Sequence, residues 1–212
     1  MDTSFITCDR HSSIRIEGDG KVIYVDPYLI EGEPRDADVI FLTHEHYDHF
    51  SPDDIVKILK PDTGFVFPEK MEKNVKLLAG DGELVPVLPG STYCIGDVSF
   101  ETVASYNVLK PFHPKPAKNC GYIITAKGHR IYIAGDTDII AEAKNVECDI
   151  ALVPCGGTYT MNCKEAAKLV NAIMPEVAIP THYGKVTGNE SDGETFAGYV
   201  DEGIQVDIKL KF

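Results

Sequence analysis

Two stretches of this chain repeat each other in order. Lys21-Val-Ile-Tyr-Val-Asp26 is echoed by Arg130-Ile-Tyr-Ile-Ala-Gly-Asp136, and Asp38-Val-Ile-Phe-Leu-Thr-His44 by Asp149-Ile-Ala-Leu-Val-Pro-Cys155. The separations match, with 18 positions from Asp26 to His44 and 19 from Asp136 to Cys155. Self-similarity in register predicts two similar halves, each a set of strands followed by a helix. Such halves imply an α/β layered architecture, in which each sheet is covered by helices on one face and by its partner on the other. Ligands then gather where strand ends meet, on the strand-to-helix loops.

The local signals agree with this plan. Short β-branched runs at 13–16, 21–25, 39–42 and 64–67, separated by Gly, Pro and Asp, read as strands. Ser51-Pro-Asp-Asp54 supplies a cap, a proline at the first helical position and an acidic first turn, and predicts a helix that Pro61 ends. A further amphipathic stretch spans 69–78. Later come a helix over 161–173, a strand at 177–179, a helix opened by a Ser191 to Glu194 capping box, and a last strand over 204–210. At 212 residues without a linker or low-complexity segment, one domain over 1–212 is expected.

Thr43-His-Glu-His-Tyr-Asp-His49 falls in such a loop, after an apolar strand and before the capped helix. In a tight loop His44 and His46 can present imidazoles to one cation while Asp48 and His49 turn toward a second. Imidazole nitrogen and carboxylate oxygen suit a borderline divalent ion such as zinc. Asp136 and His182 each follow an apolar strand, where a ligand can project into a shared cleft.

On these residues the chain resembles the metallo-β-lactamase-fold superfamily of metal-dependent hydrolases, and within it a small cytoplasmic branch similar to the ascorbate-phosphate lactonases. The resemblance covers nearly the whole chain. It runs from His11-Ser-Ser and Asp26-Pro27, through the histidine motif at 44–49 and Ala-Gly-Asp-Thr-Asp at 134–138, to Pro-Cys-Gly-Gly-Thr at 154–158 and Pro-Thr-His-Tyr-Gly at 180–184. It implies a four-layer αββα sandwich with two pseudo-symmetric halves. It also implies that His44 and His46 bind one metal, that Asp48, His49 and His182 bind a second, and that Asp136 bridges them.

The departure from the family pattern is the third histidine of the first site. Asn107 stands at or beside its expected position, and an amide oxygen is a weak zinc ligand. His113, six residues on, either reaches back as a ligand or stands over the metals as a proton donor. Asp26 is expected to orient a ligand histidine from behind, as metal sites require, and His11 to sit at the cleft edge or behind the ligands. Thr158, Tyr159 and Tyr183, with Asn107, are candidates for the substrate pocket. His129, in Lys-Gly-His-Arg, reads as a hairpin-turn residue on the surface, and Cys155 as a small buried one.

The expected chemistry is hydrolysis by a hydroxide held between two divalent ions, most readily zinc, with manganese or iron as alternatives. Asp48 or Asp136 would steer its proton and His113 would protonate the leaving group. Two ions set against two carboxylates and a hydroxide leave a small net positive charge, which favours a small anionic ester or lactone. The rival readings are a phosphodiesterase acting on nucleotides or RNA ends and a metal-binding scaffold without turnover. A net charge of −13 with no basic stripe argues against duplex nucleic acid or an anionic membrane as partner. The first 13 residues lack a signal-peptide pattern and the six cysteines lack a framework spacing, so a cytoplasmic setting is expected. Sequence leaves the oligomeric state open.

Overall fold

A computed structural model describes all 212 residues. One sheet holds β1 (Ile6–Cys8), β2 (Ile14–Gly18), β3 (Lys21–Val25), β4 (Ala37–Phe41), β5 (Leu59–Pro68) and β6 (Leu84–Val87), side by side in chain order. The other holds β7 (Thr92–Ile95), β8 (Val98–Ala104), β9 (Cys120–Ala126), β10 (His129–Ile133), β11 (Ile150–Pro154), β12 (Val177–Thr181) and β13 (Gln205–Val206), also in chain order. The helices are α1 (Pro52–Ile58), α2 (Glu72–Val75), α3 (Ala141–Lys144), α4 (Cys163–Ile173) and α5 (Asp192–Ala197).

The two halves repeat one topology. An antiparallel run through β2 and β3 turns parallel at β4, with Ile23 opposite Val39; an antiparallel run through β9 and β10 turns parallel at β11, with Ile131 opposite Ile150. The echo in the sequence is therefore the echo of β3 and β4 by β10 and β11. Every residue of β11 and of β12 is buried, as parallel strands covered on both faces require. Asp26 follows β3 directly, and Asp136 follows β10 after a short turn.

Three packed interfaces make four layers. Between the sheets Phe41 meets Phe100 edge to face at 4.9 Å and Tyr122 at 5.1 Å. The buried Tyr122 hydroxyl donates to the Leu42 carbonyl at 2.6 Å, so one sheet is pinned to the other just before the histidine motif begins. On the outer face of the first sheet, Ile55 and Ile58 of α1, with Met71 and Val75, cover Tyr24, Ile40 and Phe65. On the second, α4 buries Ala166, Ala167, Leu169 and Val170.

Several element bounds differ from the sequence reading, each for a local reason. The helix expected from 161 starts at Cys163, because Asn162 forms a reciprocal capping box with Glu165. The Ser191 to Glu194 box does not form: Ser191 is itself helical, and the Asp192 carboxylate accepts from the Asn189 N–H instead. The strand over 204–210 shrinks to Gln205–Val206, and the stretch 69–78 is a 3₁₀ turn followed by the single turn of α2. Pro61 lies inside β5, which starts where α1 ends. The hairpin turn near His129 is made by Lys127 and Gly128, both left-handed, and His129 opens β10 and stacks on Phe5. No helix is long and apolar enough to cross a membrane.

The start of α1 carries a pH dependence. Burial opposes the charge on Asp54, but hydrogen bonds from Lys57 Nζ (2.7 Å), Ser51 Oγ (2.7 Å) and the N–H groups of Leu29 and Ile30 outweigh it and hold the carboxyl below its ordinary value. A carboxylate depressed on folding stabilises the native state above its unfolded pKa of about 3.9 and loses that contribution as pH falls through the lower folded value. Thermal melts of native and Asp54→Asn protein should differ fully at pH 6–7 and converge below about pH 4. A gap independent of pH would show that the Asp54 charge is irrelevant.

Candidate metal centre

Five strand-to-loop junctions at one end of the sandwich deliver titratable side chains to the same place. The loop after β4 brings His44, His46, Asp48 and His49; the loop after β8 brings His113; the loops after β10 and β12 bring Asp136 and His182; and the turn after β1 brings His11. Three overlapping clusters result, each with ligand atoms within 4.8 Å of one another: His44, His46 and His113; His44, His49 and Asp136; and His11, Asp48, His49 and His182. Asp136 stands between them, with Oδ2 at 3.3 Å from His113 Nε2 and 3.1 Å from His182 Nε2, and Oδ1 at 3.2 Å from His49 Nε2.

For three of the rings the protein fixes which nitrogen faces inward. His49 Nδ1 lies 2.7 Å from Asp26 Oδ2, His113 Nδ1 lies 3.0 Å from Asn107 Oδ1, and His44 Nδ1 lies 3.0 Å from Thr43 Oγ1. Thr43 in turn donates its hydroxyl to Asp26 Oδ2 at 2.6 Å and its N–H to Asp26 Oδ1 at 2.8 Å. With each Nδ1 carrying its proton outward, each Nε2 presents a lone pair to the centre.

That leaves atoms whose close polar neighbours are one another. His49 Nε2, His182 Nε2 and Asp136 Oδ1 are buried without a hydrogen-bond partner. His113 Nε2 and His44 Nε2 each lie 3.0 Å from His46 Nδ1, where one proton at most can be shared. Buried polar atoms are almost always paired, so a convergent unpaired set is a place for a cation. The donor set, imidazole with carboxylate, fits divalent metal ions.

Protonation agrees. Burial pushes His44 well below its ordinary value, and pushes both His113 and His11 down to about 4, so these rings are neutral and able to ligate. Burial disfavours the Asp136 carboxylate, but His182 and His49 outweigh it and hold the group well below its usual range. The backbone is also forced. His11, Asp26 and His182 all have left-handed φ angles, of 52°, 47° and 57°, which cost non-glycine residues about 1–3 kcal/mol each and concentrate at functional sites. Two of these are tied together: the His182 N–H donates to the His11 carbonyl at 2.9 Å.

The structure therefore brings together His44, His46, Asp48, His49, Asp136 and His182, and sets Asp26 behind His49. His113 joins His44 and His46, with its Nε2 among the inward-facing nitrogens. Asn107 is corrected from a pocket residue to a support. Its Oδ1 holds His113, and its Nδ2 donates to the Tyr159 carbonyl at 2.9 Å. His11 lies deeper than a cleft edge, fully buried with Nε2 3.0 Å from Asp48 Oδ2.

Of the remaining pocket candidates only Tyr159 lines the cleft. Tyr183 is completely buried against Phe212, and Thr158 is exposed in a left-handed turn away from the lining. Cys155 is buried, as expected. Sequence reasoning passed over Tyr47, Phe112 and Val186, which form the cleft walls. The available signal was the apolar Val108-Leu-Lys-Pro-Phe112 run between two site residues. A larger cavity of about 770 Å³, over Val103 and Ile123 on the outer face of the second sheet, contains none of the ligand residues.

Known proteins resemble this arrangement along its length. The family described as the beta-lactamase superfamily domain matches residues 6–182. A UPF0173 metal-dependent hydrolase of Methanopyrus kandleri is 32% identical over 223 residues, covering 97% of this chain and 95% of its own. The crystal structure of a protein described as a metal-dependent hydrolase from Parabacteroides distasonis is 33% identical with a TM-score of 0.80, covering 97% of this chain and 93% of that one. A Thermotoga maritima protein, described as a zinc-dependent hydrolase of the metallo-β-lactamase superfamily, shares the fold at 23% identity and a TM-score of 0.64, covering 97% of each chain.

Proposed function

The chain belongs to the β-lactamase superfamily as a metal-dependent hydrolase, and from that premise we propose that it cleaves a small ester or lactone at a pair of divalent ions. The observation that carries this reading is the set of buried, unpaired atoms on His49, Asp136 and His182 that face one another. His44, His46 and His113 would hold one ion, and Asp48, His49 and His182 the other, with Asp136 between them. Zinc suits this donor set first, and manganese or iron are also accepted by it. When bound, such ions acidify a water toward neutral pH and polarise a carbonyl oxygen.

The chain's own residues do the rest. Asp26, Thr43 and Asn107 fix ring orientation, so the ligand nitrogens are set before any substrate arrives. Asp48 lines the cleft. Its Oδ2 is engaged by His11, which leaves Oδ1 to accept the proton of an attacking water. The scaffold reading rested on Asn107 as a missing ligand, and the position of His113 beside His44 and His46 supports His113 in that place. No Lys or Arg lines the cleft, so its walls offer no counter-charge to a nucleotide or RNA end. The same absence leaves the expected anionic character of the substrate resting on the ions alone. The reading therefore keeps the bond type and the small size.

Elemental analysis of the purified protein should find close to two divalent ions per chain. Stripping them with a chelator should abolish turnover of a panel of small esters and lactones. Saturating metal stabilises by about 4 kcal/mol at a thousandfold excess over Kd, so the stripped protein should melt roughly 10 °C lower. Full activity and an unchanged melt after complete stripping would exclude the metal centre.

A further inference from the structure

The cleft over the metal ligands holds about 230 Å³, below the roughly 300–1,000 Å³ of pockets for drug-sized molecules. Its floor is made by His46, Asp48, His113 and Asp136. Its walls are Tyr47, Phe112, Tyr159 and Val186. Phe112 and Tyr159 meet edge to face at 4.7 Å and 81°. These walls are tied to the floor, because Asn107 grips His113 with its oxygen and the Tyr159 carbonyl with its nitrogen.

Cations stay away from this space. Lys110 shares the loop of Phe112, but its ammonium pairs with Asp138 and donates to the Thr160 carbonyl at 2.8 Å. Lys185, beside Val186, is exposed and is not part of the lining. The loop that Asn107 and His113 close at its base instead brings Phe112, 41% exposed, to the cleft that Tyr47, 65% exposed, lines from the histidine motif. Large apolar side chains left exposed together around one opening mark a binding surface. A charge set between these walls would lose hydration and gain no partner.

Resting on the hydrolase reading above, we infer that the substrate is a compact ester or lactone whose non-reacting body is uncharged and apolar, seated against the paired rings of Phe112 and Tyr159. Phe112 and Tyr159 determine specificity. The carbonyl end lies over the His and Asp floor, and the body replaces water against the two rings. Hydrolysis adds one water across the C–O bond, hydroxyl to the acyl carbon and proton to the alkoxy oxygen, giving an alcohol and a carboxylic acid that releases its proton to solvent as carboxylate, both formed at the floor and not against the rings.

Phenyl acetate and 4-carboxyphenyl acetate test this, since they differ only in a charge remote from the bond broken. The protein with its native metal should favour phenyl acetate at least tenfold in kcat/KM. Phe112→Ala should lower kcat/KM for phenyl acetate roughly tenfold, chiefly through KM, with metal content unchanged. Phe112→Lys should shift the preference toward the carboxylated ester. Calorimetric binding of benzyl alcohol, weakened in both variants, supplies a readout independent of turnover. If both esters react equally and Phe112→Ala leaves their ratio alone, the inference falls while the hydrolase reading stands. If neither ester reacts and benzyl alcohol still binds through Phe112, the ester reading fails and the apolar site stands. If benzyl alcohol does not bind, the apolar site is overturned.

Discussion

Asp136→Ala should empty the centre of both ions and lower hydrolysis by about a thousandfold or more. Its two oxygens face different groups, Oδ1 toward His49 and Oδ2 toward His113 and His182, so one truncation removes a negative ligand from each side. The loss corresponds to roughly 4 kcal/mol of transition-state stabilisation, in line with the several kcal/mol that metal polarisation supplies. Elemental analysis of the variant and its turnover on a small ester should fall together. A variant that kept two ions per chain, or retained most of its rate, would remove Asp136 from the bridging position.

The second large effect belongs to a residue that touches no substrate. Asp26→Ala should cost about 3 kcal/mol of stability, a fall of roughly 6–12 °C in Tm for a chain of this length, and weaken metal binding 10–100-fold. The carboxylate accepts from the Thr43 N–H, the Thr43 hydroxyl and His49 Nδ1, and all three donors are buried. Without it they have no partner, and the rings of His44 and His49 lose the contacts that hold their orientation. Thermal melts and metal titration of the variant measure the two effects separately. Native-like values in both would show that the Thr43, Asp26 and His49 network is ornamental to the site.

Much of this was legible in the residues. The repeated runs ending in Asp26 and Asp136 set out the two halves, and the spacing of His44, His46, Asp48 and His49 set out four of the ligands, because strand ends and tight loops are local. Asp26 was readable as a support for the same reason. His113 could be narrowed only to two roles, since a loop of variable path decides whether six residues beyond Asn107 lead back to the centre or above it. Asn107 itself carries the lesson. Its chemistry suggested a poor ligand in a ligand's place, whereas the fold uses both ends of its amide to join a ligand to a pocket wall. Tyr183 and Thr158 went the other way, because neighbours in sequence to a strand end alternate between core, cleft and solvent. The Ser191 cap failed because Asp192 offered a competing hydrogen bond one residue later.

The pairing of His11 with His182 has a consequence for time. The candidate ligands arrive on four loops from both halves, and the last of them, His182, is joined through its N–H to the carbonyl of His11, whose ring bonds Asp48. No single loop can open and carry the whole constellation away, so an ion held there would leave only when several attachments part together. Its residence would be governed by the rarer, larger openings of the native state and not by the fraying of one loop. Exchange of bound metal against an isotope in solution becomes a slow clock for the cooperative separation of the two halves.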